Sequence, residues 1–522
     1  MARSTKRYPT TIVALSIVFS LFFIGQIAVI LQPRYNVSEE EFVLSFDKGT
    51  NVDDEDDVHK KSSGAVASKK EELQMGPADG TFNTFPIYHR DVVEGWHSNA
   101  HCIGDNFQPD AWKYRSCHFQ NLCFDTEDRA FVLFTSPEQH KLEESLADAN
   151  LTHFSPASSM NTTVSLGGIN PKWNKEVAAL DWYPRLRPVE EIKEHGYYVL
   201  PSDKVLIPYH SMAGMNPGHL VWDDFLPLFT LLTAFQLIEK EMVLIRYDME
   251  LAMWASCQRL WEKCRPILKK FYPLLNTKMN QTSTQNDTAF EIVGGGEKKS
   301  KYVCAPNGAA GLGMLTDHGL KLHGWRPSDY EYAYNIGRGG SLFQFRNWMM
   351  DNIGVAHEGR NIHKPPYRII VSSGSSTQGN RRVSFHDHAV LLQERLGKKY
   401  ELDIREVKLA KMSLTEQVEL VAGASIFITI CGGGAITAMF MPKGATLLAF
   451  FNEKDANGET PARLDWDLLN NIGYLRVHWL PRPQAAVTKK GTRTRGPDAA
   501  DLEAFVRLVD HELDVISHTN DY

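Results

Sequence analysis

The stretch that decides the fold is ASIFITICGGGAITAMFMPKGATLLAFF, residues 424–451. It predicts a buried strand at Ala424–Ile430, three glycines, a short helix near Ala435–Phe440 and a second buried strand at Thr446–Phe451. Apolar runs rich in Ile, Leu and Phe and bounded by Gly and Pro are typical of parallel strands covered on both faces. The stretch therefore predicts one unit of a layered α/β fold.

The three glycines, Gly432, Gly433 and Gly434, predict a binding turn. Glycines between a strand and a helix let backbone N–H groups approach a ligand, and the start of a helix favours an anion. The dinucleotide pattern is not met because Thr437 stands where a glycine is needed, and the Lys-Ser/Thr pair of a P-loop is absent. The turn indicates a diphosphate-bearing ligand such as a nucleotide-sugar, and a purely structural loop is an equal reading.

Residues Ile12–Leu31 predict a membrane anchor, because they are twenty mostly apolar residues without a charge. Basic residues in the tail 1–11 place the N-terminus in the cytosol and the rest of the chain in a lumen, in contact with the lipid bilayer only at 12–31. A cleaved signal peptide is the alternative, but residues 26–34 offer no good cleavage site. We expect a Golgi membrane protein, with the endoplasmic reticulum second, because no retrieval tetrapeptide is present.

The cysteines predict disulfides in an oxidising compartment. Six of the seven fall in two clusters, within 102–123 and within 257–304, and their connectivity stays open. The alternative, a zinc site, lacks a C-x-x-C pair. Cys431, beside the glycine turn, is expected to be a buried thiol.

Composition and pattern predict two α/β domains behind a flexible stem at 32–80. We expect an N-terminal acceptor-side domain at 81–356, a C-terminal donor-binding domain at 357–485, and a basic loop with an amphipathic closing helix at 486–522. A net charge of −7 on 522 residues gives no indication of nucleic-acid binding. The other predicted elements are strands at Arg129–Ser136, Lys204–Tyr209, Met242–Arg246 and Tyr367–Ser373, and helices at His219–Glu239, Glu250–Phe271 and Met412–Gly423.

A second polar cluster, NPGHLVWDDFLP at Asn216–Pro227, opens the apolar helix. His219 and Asp223 are four residues apart and share a helix face. Any one of these polar residues can simply cap the helix or complement its dipole. Their density favours the functional reading, in which a carboxylate or imidazole acts as general base on an acceptor hydroxyl.

Both motifs, in this order, resemble glycosyltransferase family 61. The family pattern G-H-x-x-x-D matches Gly218, His219 and Asp223, and the Asp-Asp-x-Leu-Pro form is most similar to its O-mannose N-acetylglucosaminyltransferase branch. The resemblance runs discontinuously over about 88–480, without the C-terminal fibronectin-like module of that branch. The late signature matches Ser413, Glu416, Gln417, Gly432, Gly434, Phe440, Pro442, Gly444 and Ala445. Cys431 stands where the family has His, so no role of that His is carried over.

The resemblance implies an α/β fold of the GT-B type, in which two Rossmann-like domains face a cleft. It also implies an inverting transfer from a nucleotide-sugar to a hydroxyl of a glycoprotein or polysaccharide, without a cofactor or catalytic metal. The D-x-D sequence Asp465–Asp467 is read as a helix cap rather than a metal site. The rival functions are a non-catalytic glycan-binding protein and a glycoside hydrolase with paired carboxylates.

Roles for individual residues follow as hypotheses. Asp223, with His219 as partner, deprotonates the acceptor hydroxyl. The glycine turn holds the diphosphate of the donor. The cations expected to neutralise that diphosphate are Arg381, Arg382 or Lys443, and the residues expected to hold ribose or sugar hydroxyls are Glu416 and Gln417.

Overall fold

A computed structural model describes most of the chain from residue 97 onward. The described residues are 97–104, 111–135, 162–169, 178–211, 214, 216–246, 261–277, 282–283, 300–311, 338–372, 384–451, 469, 471–481, 486–488, 491–493 and 499–519. The predicted tail at 1–11, anchor at 12–31 and stem at 32–80 lie outside them. Within these ranges, no helix combines the length and the apolar character that crossing a bilayer requires.

The first lobe is built on a nine-stranded mixed sheet. Its strand order is β10-β9-β8-β11-β2-β3-β6, with β1 beside β2 and β7 beside β11. The strands are β1 Asn99–Ile103, β2 Ser116–Asp125, β3 Ala130–Thr135, β6 Arg185–Pro188, β7 Tyr197–Val199, β8 Lys204–Tyr209, β9 Glu241–Arg246, β10 Thr282–Ser283 and β11 Tyr302–Gly311. A small separate sheet pairs β4 (Val164–Ile169) with β5 (Ala178–Trp182).

This sheet corrects the Rossmann-like prediction for the first lobe. Strands β8, β9 and β11 are parallel, but β2 is antiparallel to β1, β3 and β11. The connection between β2 and β3 is too short for a crossover, and strands joined by so short a turn pair antiparallel. The lobe is therefore α/β with a parallel part and a hairpin part.

The second lobe contains a five-stranded parallel sheet in the order β13-β12-β14-β15-β16. Its strands are β12 Tyr367–Ser372, β13 Leu402–Val407, β14 Ile426–Ile430, β15 Thr446–Phe451 and β16 Arg476–Pro481. The pairing of β14 with β15 confirms the parallel strands predicted from 424–451. A two-stranded ribbon, β17 (Ala486–Thr488) with β18 (Gly491–Arg493), follows.

The helices agree in position with the predicted ones but differ at their ends. The long helix predicted at His219–Glu239 begins at Pro217 and ends at Ala234. The helices are α1 Glu190–His195, α2 (217–234), α3 Trp261–Phe271, α4 Gly339–Asn352, α5 His386–Leu396, α6 Leu414–Ala422 and α7 Ala499–His518. Short 3₁₀ helices lie at Ala111–Tyr114, Tyr272–Leu274, Leu409–Lys411 and Ala435–Phe440.

A single buried apolar cluster joins the two sheets. It contains Val205 and Ile207 of β8 together with Phe427 of β14 and Leu447 of β15. Residues of helices α2, α3, α4 and α6 fill the space between them. The opposite face of the second sheet is covered by α5 and α7. The lobes therefore share one core on their facing sides.

Two disulfides tie strand β2 to its neighbours. Cys102 of β1 bonds to Cys117, and Cys304 of β11 bonds to Cys123. In each bridge the two cysteines are directly opposite one another in the strand register. Cys264 is disulfide-bonded too, and Cys431 is a buried thiol, as predicted.

Candidate active site

Helix α2 begins at a tightly built cap. The Asn216 side chain accepts a hydrogen bond of 3.0 Å from the backbone N–H of Gly218, and Pro217 occupies the first turn. Proline suits this position because its fixed φ is helical and it has no N–H to leave unsatisfied. The cap fixes where the helix starts and therefore where His219 lies.

The polar residues of α2 lie on a π-helical segment, Leu220–Phe225, which interrupts the α-helix. The Nδ1 of His219, the residue just before this segment, lies 2.6 Å from Asp223 Oδ2, which confirms that the two share a face. The Asp223 side chain is 0% exposed and that of His219 is 8% exposed. The carboxylate thus lies behind the imidazole, and π-helical turns of this kind are frequent at functional sites.

Asp224 points away from this pair and toward the end of β8. Its Oδ2 accepts hydrogen bonds from Ser211 at 2.5 Å and from the Tyr209 hydroxyl at 3.2 Å. Burial, together with the neighbouring Asp224 charge, raises the pKa of Tyr209 well above its ordinary value. Asp224 therefore anchors the π-helical segment to the first sheet, while Asp223 faces His219.

The glycine turn lies at the carboxyl edge of the second sheet. Cys431, just before it, donates a backbone hydrogen bond of 2.8 Å to Phe450 O near the end of β15. Gly432 has φ +136°, a conformation that side chains rarely adopt. Ligands of open α/β sheets bind outside this edge of the strands.

The structure brings the two sequence motifs into direct contact. A Cβ placed on Gly433 would lie 3.0 Å from Asn216 Oδ1, and one on Gly218 would lie 3.7 Å from the Gly433 Cα. Further along, the Trp222 indole donates a hydrogen bond of 3.3 Å to Met439 Sδ. The start of α2 and the 3₁₀ helix after the turn therefore lie against each other.

Glu416 and Gln417 lie at the same sheet edge, but local bonds already account for their side chains. Glu416 closes a capping box with Ser413, accepting from Ser413 N at 2.7 Å while Ser413 Oγ accepts from Glu416 N at 3.2 Å. Hydrogen bonds from Ser413 lower the pKa of Glu416. Gln417 donates to Met412 O at 3.1 Å. Their donor-binding roles stay predictions.

Lys443 requires a correction, since the structure places it away from the glycine turn. It precedes β15, whereas the glycines follow β14, and the two strands are parallel. The two positions thus lie at opposite edges of the sheet, about 15 Å apart for a strand of five residues. Arg381 and Arg382, the other predicted cations, lie outside the described residues, as does Asp465–Asp467.

Two contacts of this region were not foreseen from the sequence. Trp222 belongs to an apolar stretch that is typical of a buried core, so the sequence does not predict its hydrogen bond to Met439. Lys270 of α3 donates a hydrogen bond of 2.7 Å to Met412 O in the second lobe. Lys270 lies at the border of the apolar face of an amphipathic helix, and this position is the one sequence signal for a partly buried lysine.

The family comparison covers both parts of this arrangement. The family model described as Glycosyltransferase 61 matches residues 222–448, from Trp222 through the glycine turn into β15. Residues 222–448 belong to glycosyltransferase family 61. The family predicted from the two motifs is thereby confirmed, although His219 lies just before the matched region.

Curated relatives of this chain are distant. Protein O-linked-mannose beta-1,4-N-acetylglucosaminyltransferase 2 of Mus musculus is 23% identical over 402 residues, covering 75% of this chain and 59% of the relative. The Canis lupus familiaris protein of the same name is 22% identical over 342 residues, covering 65% of this chain and 50% of the relative. The chain thus spans between half and three fifths of the length of these two relatives.

Solved structures similar to this chain include two bacterial glycosyltransferases. One is the E. coli heptosyltransferase WaaC with ADP, at 10% identity and a TM-score of 0.24, covering 60% of this chain and 100% of that one. The other is a family 9 glycosyl transferase of Veillonella parvula, also at 10% identity and 0.24, covering 60% of this chain and 98% of that one.

Proposed function

We propose that this chain transfers a sugar, with inversion, from a nucleotide-sugar to a hydroxyl of a glycoprotein or polysaccharide. The observation that carries the proposal is the contact between the two motifs. The His219–Asp223 pair begins one residue after Gly218, which contacts Gly433, so an acid-base pair follows directly on the residues that touch a candidate diphosphate turn. A GT-B arrangement, with the donor bound to the second lobe, fits this geometry.

The order of burial favours His219 as the group that meets the acceptor. Asp223 is the more deeply buried of the two, so its carboxylate orients the imidazole, while the imidazole takes the proton of the acceptor hydroxyl. The acceptor oxygen then forms a bond to the anomeric carbon as the bond to the diphosphate breaks. The nucleoside diphosphate leaves with the electron pair, stabilised at the glycine turn.

Asp223→Asn tests the pair directly. We expect transfer to fall by about 100-fold or more, because a positioned base contributes about 10²–10⁴-fold and an amide cannot hold the imidazole in the tautomer that the base needs. Binding of the nucleoside diphosphate product should stay within about threefold, because the pair acts on the acceptor side. The matched control is Asp351→Asn, which changes an exposed acid and should transfer like wild type. Unchanged turnover in Asp223→Asn would exclude the pair from catalysis.

His219→Ala separates the two possible bases. If the imidazole takes the proton, added imidazole should restore part of the activity of His219→Ala but none of the activity of Asp223→Asn. If the carboxylate is the base, imidazole should restore neither variant. Steady-state transfer rates with and without imidazole provide the measurement.

The relatives suggest the first substrates to try. Their name specifies N-acetylglucosaminyl transfer to O-linked mannose, so we propose a nucleotide-linked N-acetylglucosamine as donor and an O-mannosyl glycopeptide as acceptor. A single-pass membrane anchor at 12–31 and a Golgi lumen are part of the same proposal. The rival, a glycan-binding protein without activity, predicts stabilisation by glycan and no response to nucleotides in a thermal-shift screen.

A further inference from the structure

Lys270 reaches from the first lobe to the carboxyl edge of the second sheet. It lies on α3, whose Cys264 and Leu268 are buried in the core shared by both sheets. Its Nζ donates a hydrogen bond of 2.7 Å to Met412 O, the residue just before the cap of α6. A lysine of the first lobe thus contacts the residue before the start of a second-lobe helix.

The start of α6 is a neighbour of the glycine turn. Helix α6 leads from β13 to β14, and the 3₁₀ helix Ala435–Phe440 leads from β14 to β15. Because all of these strands are parallel, both connections begin at the carboxyl edge of the sheet. The two helices pack against each other in the shared core, and their starts lie at the same edge of the sheet.

The hydrogen-bonding capacity of Lys270 is only partly used. A lysine ammonium carries three N–H donors, and among the described residues Met412 O is its one hydrogen-bond partner. The nearby acid, Glu416, is engaged with the Ser413 backbone N–H. Burial lowers the pKa of Lys270, and the Glu416 charge opposes that shift, so a further anion beside Nζ would be stabilised.

We infer that Lys270 is a donor-site cation that binds the diphosphate of the nucleotide-sugar from across the lobe boundary. The inference rests on the proposed function. It assigns to Lys270 a share of the charge neutralisation predicted for Arg381, Arg382 or Lys443, of which Lys443 lies at the opposite edge. The described lysines Lys408 and Lys411 also lie near this edge but are exposed, and neither reaches it from the first lobe.

Nucleotide binding to Lys270→Met provides the test, with Lys269→Met as the matched control, since Lys269 is the adjacent, exposed lysine of α3. Isothermal titration calorimetry with UDP, GDP and ADP first identifies the nucleoside diphosphate that wild type binds. Lys270→Met should weaken that binding by about tenfold or more, the usual effect of losing a hydrogen bond to a charged group. Lys270→Arg should stay within about threefold, and Lys269→Met within about twofold.

The matching nucleoside monophosphate separates a charge contact from a structural role. A charge contact makes Lys270→Met lose more affinity for the diphosphate than for the monophosphate, and it reduces the salt dependence of diphosphate binding. Equal losses for both nucleotides would mean that Lys270 only positions α6, and this would overturn the inference. Wild-type affinity in Lys270→Met would overturn it as well. If wild type binds none of the nucleotides, the proposed function fails and the inference falls with it.

Discussion

At the scale of single residues, the approach of the two lobes depends on glycines at the point of contact. Gly433 has little room for a side chain, because a Cβ there would lie 3.0 Å from Asn216 Oδ1, which would have to shift by a few tenths of an ångström. Gly218 has more room, since its nearest atoms would lie at 3.4 and 3.7 Å, which is ordinary contact. Gly432 is required for a different reason, its positive φ. The adjacent glycines are therefore not equivalent.

We therefore expect Gly433→Ala and Gly218→Ala to differ in their effects on stability. We expect Gly433→Ala to lower the free energy of unfolding by about 1–3 kcal/mol, the usual cost of overpacking, and to reduce transfer. Gly218→Ala should change the free energy of unfolding by less than about 1 kcal/mol. Urea unfolding and transfer rates measure both effects.

Asn216→Ser supplies the internal control for this contact. Serine keeps a capping oxygen on a shorter side chain, so it should restore part of the stability of Gly433→Ala. If the double variant is no more stable than Gly433→Ala alone, the clash with Asn216 is not the cause.

At the scale of elements, the capping box of α6 shows how a residue inside a family motif can have a structural role. Ser413 and Glu416 belong to the motif that suggested donor binding, yet they satisfy each other's backbone N–H groups. Such a box is a recurrent device for starting a helix and needs no ligand.

Ser413→Ala should lower the free energy of unfolding by about 1 kcal/mol, the typical cost of a lost cap. Glu416→Gln should leave both stability and nucleotide affinity nearly unchanged, because glutamine also closes a capping box. A large loss of nucleotide affinity in Glu416→Gln, with stability retained, would instead show that the carboxylate binds the donor.

Sequence patterns captured those elements whose signals are local. The parallel pair β14 and β15 follows from two apolar runs around three glycines, and the spacing of His219 and Asp223 places them on one face. The antiparallel pairing of β2 with β11 was missed, because it depends on residues far apart in the chain. The position of Lys443 was not predicted correctly, because a sequence motif gives the order of its residues but not the edge of the sheet at which each of them lies.

At the scale of the whole molecule, helix α7 is fastened to the second sheet by a buried acid. Glu512 accepts hydrogen bonds from Thr446 at 2.6 Å, Arg476 at 2.7 Å and His478 at 2.9 Å. Burial alone would raise the pKa of Glu512, but the hydrogen bonds from His478, Arg476 and Thr446 outweigh it and hold the pKa at about 2. The Glu512 carboxylate, through these hydrogen bonds, thus joins the C-terminal helix to the amino edge of the sheet.

This charge predicts a sign for the pH dependence. Because the folded pKa lies below the ordinary value of 4.5, the stabilisation is fully present above that value and is lost as pH falls toward about 2. Wild type should therefore exceed Glu512→Gln in unfolding free energy by about 2 kcal/mol at neutral pH, and the difference should shrink between pH 4.5 and 2.

Urea unfolding at several pH values measures this difference. Glu503→Gln is the control on the same helix, because Glu503 forms an exposed pair with Arg395 and should show little such dependence. A difference between wild type and Glu512→Gln that stays constant with pH would contradict the assignment.

Strand β11 sets the order in which the first lobe can be completed. It lies between β2 and β8 in the sheet, but it is synthesised after both, and its Cys304 closes a bridge to Cys123 across 181 positions of sequence. A nascent chain that stops short of β11 would carry two unjoined half-sheets with bare edges and an unoxidised thiol at Cys123. Such species tend to aggregate, so biosynthesis of this protein requires that the N-terminal half be kept soluble until its last strand emerges.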